Sequence, residues 1–332
     1  MQGSVSARAT VAAWIFAAVL PLALPRIAAA LPDADTLLAD LGASPDEIQQ
    51  VHAGQIVTRS VSGSTDREIA ASFAFEVSVS PAELAKQLEA GLLATVDPNT
   101  ISRGVIRGGL VDFAALTLTP DGESRRKRYL DAGPGDSMNL STQEIAMLSA
   151  VASPDAVDAA VRQQLFARWQ AYSSQGLDGI AAYDRGNGRL RSAGEELRAA
   201  TDASRGLAKY APRFFALLKN YPAGKTDAVD DQFAWTQFDA HGVPTLALVH
   251  AMFVRDGDAV VVSQRQFYVS EGFNSEQAVA AFLPVNGGTV VVYENRTSTD
   301  QVTGFGGSAK RSIGSRLLAS QLEGLFAKLQ QH

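Results

Sequence analysis

The C-terminal stretch, residues 287–330, constrains the fold more than any other part of the chain. Thr289 to Arg296 has the β-branched composition of a strand and leads into a glycine-rich loop. After the loop, apolar residues recur at spacings of three and four, which predicts a long helix with one apolar stripe. The stripe consists of Ala309, Ile313, Leu317, Leu318, Leu322, Leu325, Phe326 and Leu329. Such a helix needs an apolar surface, which we expect the preceding strands to provide.

Strand patterns flank a helical middle region. Phe73, Phe75 and Val77 alternate with smaller or polar residues, which predicts a strand that runs into a helix capped by Ser80 and ending near Gly91. An antiparallel meander is expected over residues 232–239, 243–255 and 259–270. We also predict strands at residues 110–119 and 126–130, joined by a turn at 120–122, and a short helix at residues 275–282.

These elements predict an α+β fold in which an antiparallel, curved sheet is covered by the long C-terminal helix. Residues 31–332 are expected to form one domain. Its strand-rich parts are residues 31–137 and 226–332, and a helical insertion covers residues 138–225.

The order of elements in the strand-rich parts resembles that of the START-like helix-grip family. Glu68 to Gly91 resemble the strand and helix that open that fold, and Gly288 to Gln330 resemble its closing strand and helix. The resemblance implies that the sheet and the C-terminal helix enclose a hydrophobic ligand. The chain departs from the family where the helical insertion interrupts the sheet and where extra elements precede the opening strand.

The N-terminus has the parts of a secretory signal peptide. Arg8 supplies positive charge, residues 11–24 are largely apolar, and Ala28-Ala29-Ala30 matches a cleavage site before Leu31. We therefore expect residues 1–30 to be removed and the protein to be periplasmic or secreted, with no transmembrane segment after cleavage. The alternative is an uncleaved anchor, although the apolar run is short for a membrane span of roughly 20 residues.

Charge and composition argue against several classes of function. The formal net charge is -6, and it becomes -8 without Arg8 and Arg26, so the chain lacks the basic character of nucleic-acid-binding proteins. The chain has 0 cysteines, which excludes disulfides, thiolate catalysis and thiolate metal sites. The 4 histidines lack metal-ligand spacing. We therefore expect no metal and no cofactor.

Three residues on predicted strands are candidates for ligand binding. His250 alternates with leucine and methionine side chains, so it is a polar group on an apolar face. The alternative is a core histidine with satisfied hydrogen bonds. Glu294 and Arg296 are two residues apart and share a strand face, where they could pair with each other or project into a cavity.

The glycine-rich loop before the C-terminal helix is a candidate anion site. Gly306, Gly307 and Ser308 would present unpaired amides at the start of the helix, and Lys310 and Arg311 add positive charge. The spacing matches neither a P-loop nor a dinucleotide fingerprint. The alternative is a flexible connection and helix cap. The other basic cluster, residues 125–128, is expected on a solvated edge strand.

Together these features predict an exported binding protein for a hydrophobic or amphipathic small molecule. Neither Gly-x-Ser-x-Gly nor His-Glu-x-x-His occurs in the chain. Two alternatives stay open: a hydrolase with an unrecognised active site, and a structural or adaptor protein of the cell envelope. A cavity beneath the C-terminal helix would favour binding, and convergence of His250 with an acid and a hydroxyl would favour hydrolysis. An exposed apolar patch on the helical insertion would favour an adaptor.

Overall fold

The structure is a computed structural model that describes residues 31–331 except 120, 241 and 305. The expected signal peptide, residues 1–30, lies outside the described residues. Within them, a large antiparallel sheet carries helices on both faces, which confirms the predicted α+β fold. None of the helices in these residues is long and apolar enough to cross a membrane.

Among the described residues, the main sheet has eight strands. The strands found there are β1 (Val57–Ser60), β2 (Glu68–Val77), β3 (Thr100–Ile106), β4 (Tyr183–Asp184), β5 (Leu190–Arg191), β6 (Val229–Asp239), β7 (Pro244–Asp256), β8 (Ala259–Val269), β9 (Ser275–Val285) and β10 (Gly288–Ser298). The order in the main sheet is β1-β2-β10-β9-β8-β7-β6-β3, and β4 pairs with β5 in a separate ladder. The predicted meander is therefore confirmed as β6, β7 and β8.

Helices precede, interrupt and follow the sheet. They are α1 (Ala34–Asp40), α2 (Pro45–His52), α3 (Pro81–Glu89), α4 (Leu92–Val96), α5 (Gly122–Leu130), α6 (Thr142–Ser149), α7 (Val157–Gln175), α8 (Ala193–Ala203), α9 (Arg205–Tyr210), α10 (Pro212–Asn220) and α11 (Gly307–Leu329). Short 3₁₀ helices occur at Leu110–Phe113, Pro154–Ala156, Gly176–Gly179 and Asp300–Val302.

The two faces of the sheet carry separate layers. We call one side the α11 face, toward which Phe75, Ala251 and Phe253 point; it is covered by α3, α4 and α11. The opposite side is the insertion face, toward which Leu248 and His250 point. It is covered by α1 and α2 at one end and by helices of the insertion at the other. A binding site can therefore form on either side of the same sheet.

Helix α11 lies against β2 and confirms the predicted C-terminal helix. Phe326 stacks on Phe75, with ring centroids 4.7 Å apart. The predicted stripe is wrong in its first half, because Ile313 and Leu317 are 54% and 59% exposed. There the small residue Gly314 faces the sheet, and a Cβ at that position would lie 3.1 Å from Cγ2 of Ile69. Because the helix lies close to the sheet here, a small residue faces the sheet and the larger apolar residues of the predicted stripe point outward.

Two segments predicted as strands are helical, so this prediction is wrong. Residues 110–113 form a 3₁₀ helix and residues 122–130 form α5, while Pro120 of the predicted turn lies outside the described residues. Contacts with other parts of the chain favour the helical conformation of α5. Arg126 donates two hydrogen bonds to Asp158, at 2.7 and 3.0 Å, and Arg125 donates one to the Thr119 carbonyl at 2.8 Å. The basic cluster therefore holds α5 against the insertion and does not lie on an edge strand.

The predicted helix at residues 275–282 is also wrong, because this segment is the first part of β9. Alanines at 278, 280 and 281 favour a helix in isolation. Between β8 and β10, however, the segment gains backbone hydrogen bonds on both sides, and this context outweighs the intrinsic preference. Two of these alanines, Ala278 and Ala280, lie on the α11 face.

Gly104 allows Trp235 to pack across β3 and β6. A Cβ at Gly104 would lie 2.4 Å from Cε2 of Trp235, whose indole is buried and donates to the Asp112 carbonyl. We expect Gly104→Ala to lower the free energy of unfolding by about 1–3 kcal/mol through overpacking. Gly324→Ala is the control, since no atom of the described residues outside its own stretch of helix lies within 4 Å of its Cβ position. In urea denaturation this control should be neutral or slightly stabilising, and equal losses would contradict the packing argument.

Candidate functional site

A cavity of about 300 Å³ lies between the α11 face of the sheet and helices α3, α4 and α11. The wall that the helices form is apolar. The wall residues are Leu84 and Leu88 of α3, Leu93 of α4, and Leu322, Leu325, Phe326 and Leu329 of α11. Phe253, Val262 and Phe282 extend the apolar surface onto the strands. This volume is in the range of small-molecule sites in proteins.

Alanines form the floor of this cavity. Ala234 lies on β6, Ala251 on β7, and Ala278 and Ala280 on β9, and all four side chains line the space. Gln264 of β8 pairs with both Ala251 and Ala278 in the strand register. Large side chains at these central positions would meet the helices and fill the interior to normal packing density. The short methyl groups leave an open volume instead.

A polar group closes one end of the cavity around Glu276. Gln266 Nε2 donates to Glu276 Oε1 at 2.9 Å, and Thr297 Oγ1 donates to Glu276 Oε2 at 3.0 Å. Burial raises the pKa of Glu276. Gln266 Oε1 is buried and accepts no hydrogen bond within the described residues. This end of the cavity therefore offers an acceptor that suits a ligand hydroxyl or amine.

Arg103 brings a positive charge to the opposite side of the floor. Its Nη2 donates to Gln232 Oε1 at 2.8 Å, and both residues line the cavity. Burial lowers the pKa of Arg103, although an arginine stays charged at neutral pH. No ion pair joins Arg103 to a carboxylate in the part of the chain that the structure describes. Arg103 is therefore available to an anionic group of a ligand.

The structure places His250 on the insertion face, away from this cavity. The side chain is fully buried between Tyr172 and Asp231. His250 Nε2 lies 3.2 Å from Asp231 Oδ2, and Nδ1 lies 3.0 Å from the Tyr172 hydroxyl. Because a carboxylate only accepts hydrogen bonds, neutral His250 donates through Nε2 to Asp231, and its Nδ1 accepts a hydrogen bond from the Tyr172 hydroxyl. The hydrolase alternative thus gains an acid and a hydroxyl, but these three residues line neither large cavity in the described chain.

The buried state of His250 predicts a pH-dependent stability. Burial lowers the pKa of His250 to about 4, from an ordinary value of 6.5. The unfolded chain therefore binds a proton that the folded protein excludes, and stability falls as pH drops from 6.5 toward 4. We expect this group to contribute a loss of about 3 kcal/mol. Urea denaturation across this range should show that the free energy of unfolding depends less on pH in His250→Gln than in the wild type. The same pH dependence in both proteins would contradict this role of His250.

Glu294 and Arg296 also lie on the insertion face, where they form the predicted same-face pair. Arg296 Nε donates to Glu294 Oε1 at 2.9 Å, and Arg296 Nη1 donates to Glu68 Oε1 at 2.6 Å. Ser204 Oγ of the insertion donates to Glu294 at 2.8 Å. Arg296 is thus a buried link between β2, β10 and the insertion. Glu294 lines a second cavity, of about 230 Å³, beneath α1 and α2.

The candidate residues share a row of the sheet. In the strand register His250 pairs with Arg265, Arg265 with Gln277, and Gln277 with Arg296. His250 and Arg296 are therefore three strand spacings apart, roughly 14 Å. The structure brings them to one face but not into contact with one ligand-sized space.

The glycine-rich loop forms the start of α11. Gly304 and Gly306 have φ values of 77° and 73°, which favour glycine, and the helix begins at Gly307 beside Ser308. Lys310 Nζ donates to the Thr303 carbonyl at 3.4 Å, and Arg311 Nη1 donates to the Asp66 carbonyl at 2.9 Å. Both basic side chains thus contact neighbouring loop carbonyls, as in a helix cap. The anion site stays a prediction.

Arg103, Gln266 and Glu276 were missed in the sequence. Glu276 lies in residues 275–282, which we predicted to be a helix because of their alanines. The side of the sheet toward which Glu276 points was therefore not predicted. Gln266 follows the alternation of β8. The pairing of β7 with β8 shifts register between residues 248 and 249, so the sequence alone does not show which residues of β7 lie on the same face as Gln266. The usable signal was the set of alanines on predicted central strands, since small residues on a covered face leave space.

Comparisons with known proteins add little to this geometry. No protein-family model matches the chain. No curated protein matches it either. Among solved structures, the chain is similar to TTHA0849 from Thermus thermophilus, with 17% identity over 38% of this chain and 83% of that chain and a TM-score of 0.25. A TM-score of this size does not establish a shared fold.

Proposed function

We propose that this protein binds an amphipathic small molecule in the cavity between the sheet and α11. The alanine floor is the observation that carries the proposal. Four short side chains at the centre of a covered sheet face open about 300 Å³ that is walled by leucine and phenylalanine. A hydrocarbon chain in this space would gain about 0.8 kcal/mol for each buried methylene group.

The polar groups define how the ligand would lie. Arg103 suits an anionic head group, and Gln266 with Glu276 suits a hydroxyl or amine at the other end. The three side chains are held by Gln232, by each other and by Thr297, so they are positioned before a ligand arrives. An amphiphile with an acidic head group fits this arrangement better than a pure hydrocarbon, which would leave Arg103 without a negatively charged partner.

The arrangement also supports the proposed resemblance to the START-like helix-grip family. Strand β2 runs into α3, and β10 is followed by α11, which forms part of the cavity wall. In this proposal the protein is exported, and its ligand is met outside the cytoplasm. The helices of the insertion lie on the opposite face and leave the cavity to α3, α4 and α11.

Co-purified ligand is the test of the proposed function. We expect solvent extraction of the purified protein, followed by mass spectrometry, to release an amphiphile in near-equal amount to the protein. Native mass spectrometry should show the same mass difference on the intact chain. Refolded, delipidated protein should regain the ligand from a lipid extract. Protein that carries no amphiphile and takes none up from the extract would contradict the proposal.

Glu276→Gln tests the polar end of the cavity. Because burial raises the pKa of Glu276, its ionisation above that pKa costs stability, so stability decreases as pH rises through it. Glutamine keeps the shape without this ionisation. We expect the variant to be more stable than the wild type at pH 7 and equal to it near pH 4, measured by thermal unfolding. An identical pH dependence in the two proteins would show that the carboxyl group is not held in a dry site.

A further inference from the structure

Leu31 begins the described chain with a contact that joins distant parts of the sequence. Its backbone nitrogen donates to Asp256 Oδ2 at 2.7 Å. Asp256 ends β7 at the hairpin to β8, and Leu31 lies three residues before α1. The contact therefore attaches the first residues to the central hairpin, 225 positions away in sequence.

Both partners are placed for a stronger interaction than one neutral hydrogen bond. The Leu31 side chain packs against the apolar clusters beneath α1 and beside the insertion, and this fixes the position of its nitrogen. Asp256 is half-buried, and it forms no ion pair within the described residues. Asp256 can therefore accept a charge-assisted hydrogen bond from a positive group at the Leu31 nitrogen.

The sequence supplies such a charge if the expected signal peptide is removed. Ala28-Ala29-Ala30 places the cleavage before Leu31. Hydrolysis of the 30–31 peptide bond consumes one water and leaves a carboxylate on residue 30 and an amino group on Leu31. The amino group takes up a proton below its ordinary pKa of about 8. One neutral donor thus becomes a charged group with three donors, at the same position.

We propose that Asp256 is the docking site for the new α-ammonium group of the mature chain, and that Leu31 is its N-terminal residue. Cleavage then adds a charge-assisted hydrogen bond that locks α1 to the β7–β8 hairpin. Cleavage at another bond would place the amino group on a different residue and leave this hydrogen bond either neutral or absent. The correct mature end is therefore recognised by the folded protein itself, independently of any ligand in the cavity.

Other ionisable groups around this corner do not replace the ammonium. In α1 and just before it, Asp33 caps the helix, Asp35 contacts His52, and Asp40 contacts Lys209 and Tyr210 of α9. Arg255 and Asp258 of the hairpin are exposed. Hydrogen bonds to carboxylates raise the pKa of His52, so a test across pH needs a control that contains the same groups.

The test starts from the full chain, expressed with residues 1–30 in an exporting bacterium. Intact-mass analysis of the product should give a chain that begins at Leu31. A variant with one glycine inserted between residues 30 and 31 gives a mature chain whose amino group is displaced by one residue. Asp256→Asn is made in both backgrounds, and urea denaturation is measured at pH 6.5 and at pH 9.5, on either side of the ordinary pKa of about 8 for an amino terminus.

We expect Asp256→Asn to raise the unfolding equilibrium constant about tenfold in the Leu31 chain at pH 6.5, the size of effect expected for a hydrogen bond between charged groups. The effect should shrink at pH 9.5, where the amino group is neutral, and should be small in the glycine-extended chain at both pH values. Equal effects of Asp256→Asn in the two backgrounds, or a mature chain that begins elsewhere, would overturn the proposal.

Discussion

Replacing Ala251 with phenylalanine is expected to weaken binding of a long-chain amphiphile by at least about 100-fold. Ala251 lies at the centre of the cavity floor, where a phenyl group would occupy the space of roughly four methylene groups. At about 0.8 kcal/mol for each, their exclusion corresponds to about 3 kcal/mol of binding free energy. The loss should be measured by titration with a fluorescent fatty-acid analogue.

The matched control for this substitution is Ala82→Phe. Ala82 lies on α3, whose inner residues form the cavity wall, but its own side chain is exposed. The control adds the same ring outside the cavity and should bind the probe as the wild type does. Ala251→Phe should keep or raise the melting temperature, because the ring fills existing space. Unchanged affinity in a folded Ala251→Phe protein would contradict the assignment of the cavity.

Arg296→Met is expected to give the largest loss of stability, about 3–5 kcal/mol, because it leaves a buried carboxylate without its partner. Glu68 and Arg296 are only 2% and 5% exposed, and Arg296 Nη1 lies 2.6 Å from Glu68 Oε1. Methionine retains the apolar stem but cannot compensate the charge. Urea denaturation at pH 7 should show a lower midpoint with an unchanged slope.

Two further variants separate charge from packing at this position. Glu68→Met combined with Arg296→Met replaces the pair with apolar groups, and we expect it to recover part of the lost stability. The recovery is incomplete because the backbone nitrogen and hydroxyl of Ser64, which donate to Glu68 at 2.9 Å, lose their acceptor. Glu294→Gln should cost less than Arg296→Met, since Glu294 is more exposed and Ser204 shares its carboxyl group. A double variant as unstable as Arg296→Met alone would assign the loss to packing.

The helices and strands that carry strong local signals were predicted from the sequence. The alternation at Phe73 and Phe75, the capping residue Ser80 and the meander all agree with β2, α3 and β6 to β8. In each case local propensity and tertiary burial favour the same conformation. The polar side of α3 faces solvent and its leucines face the sheet, so the pattern and the environment coincide.

The elements that were predicted wrongly are those in which tertiary contacts oppose local propensity. The alanines of β9 favour a helix, yet the strand pairs on both edges. Arg125 and Arg126 have the charge typical of an exposed edge strand. In the structure, Arg125 donates a hydrogen bond to a loop carbonyl and Arg126 donates one to a carboxylate of the helical insertion. The contacts that decide these elements join residues on different elements, so no local pattern contains them.

The same limitation explains the site. His250 was chosen because it is polar on an apolar strand, but that pattern does not distinguish the two covered faces of the sheet. The cavity is instead defined by Ala251, its direct neighbour, which points to the opposite side. The polarity of His250 marks an unusual strand residue, whereas the small side chain of Ala251 marks the place where a ligand fits.

Photo-crosslinking with a fatty acid that carries a diazirine on its chain tests whether a ligand lies between the sheet and α11. The reagent labels whatever side chain touches the hydrocarbon part of the ligand, and peptide mass spectrometry locates the label. Labels are predicted on residues 322–329 of α11 and on Phe253 and Val262, with loss of labelling in Ala251→Phe and retention in Ala82→Phe. Labels on α1 and α2, which cover the second cavity, or labelling that Ala251→Phe leaves unchanged, would contradict the account.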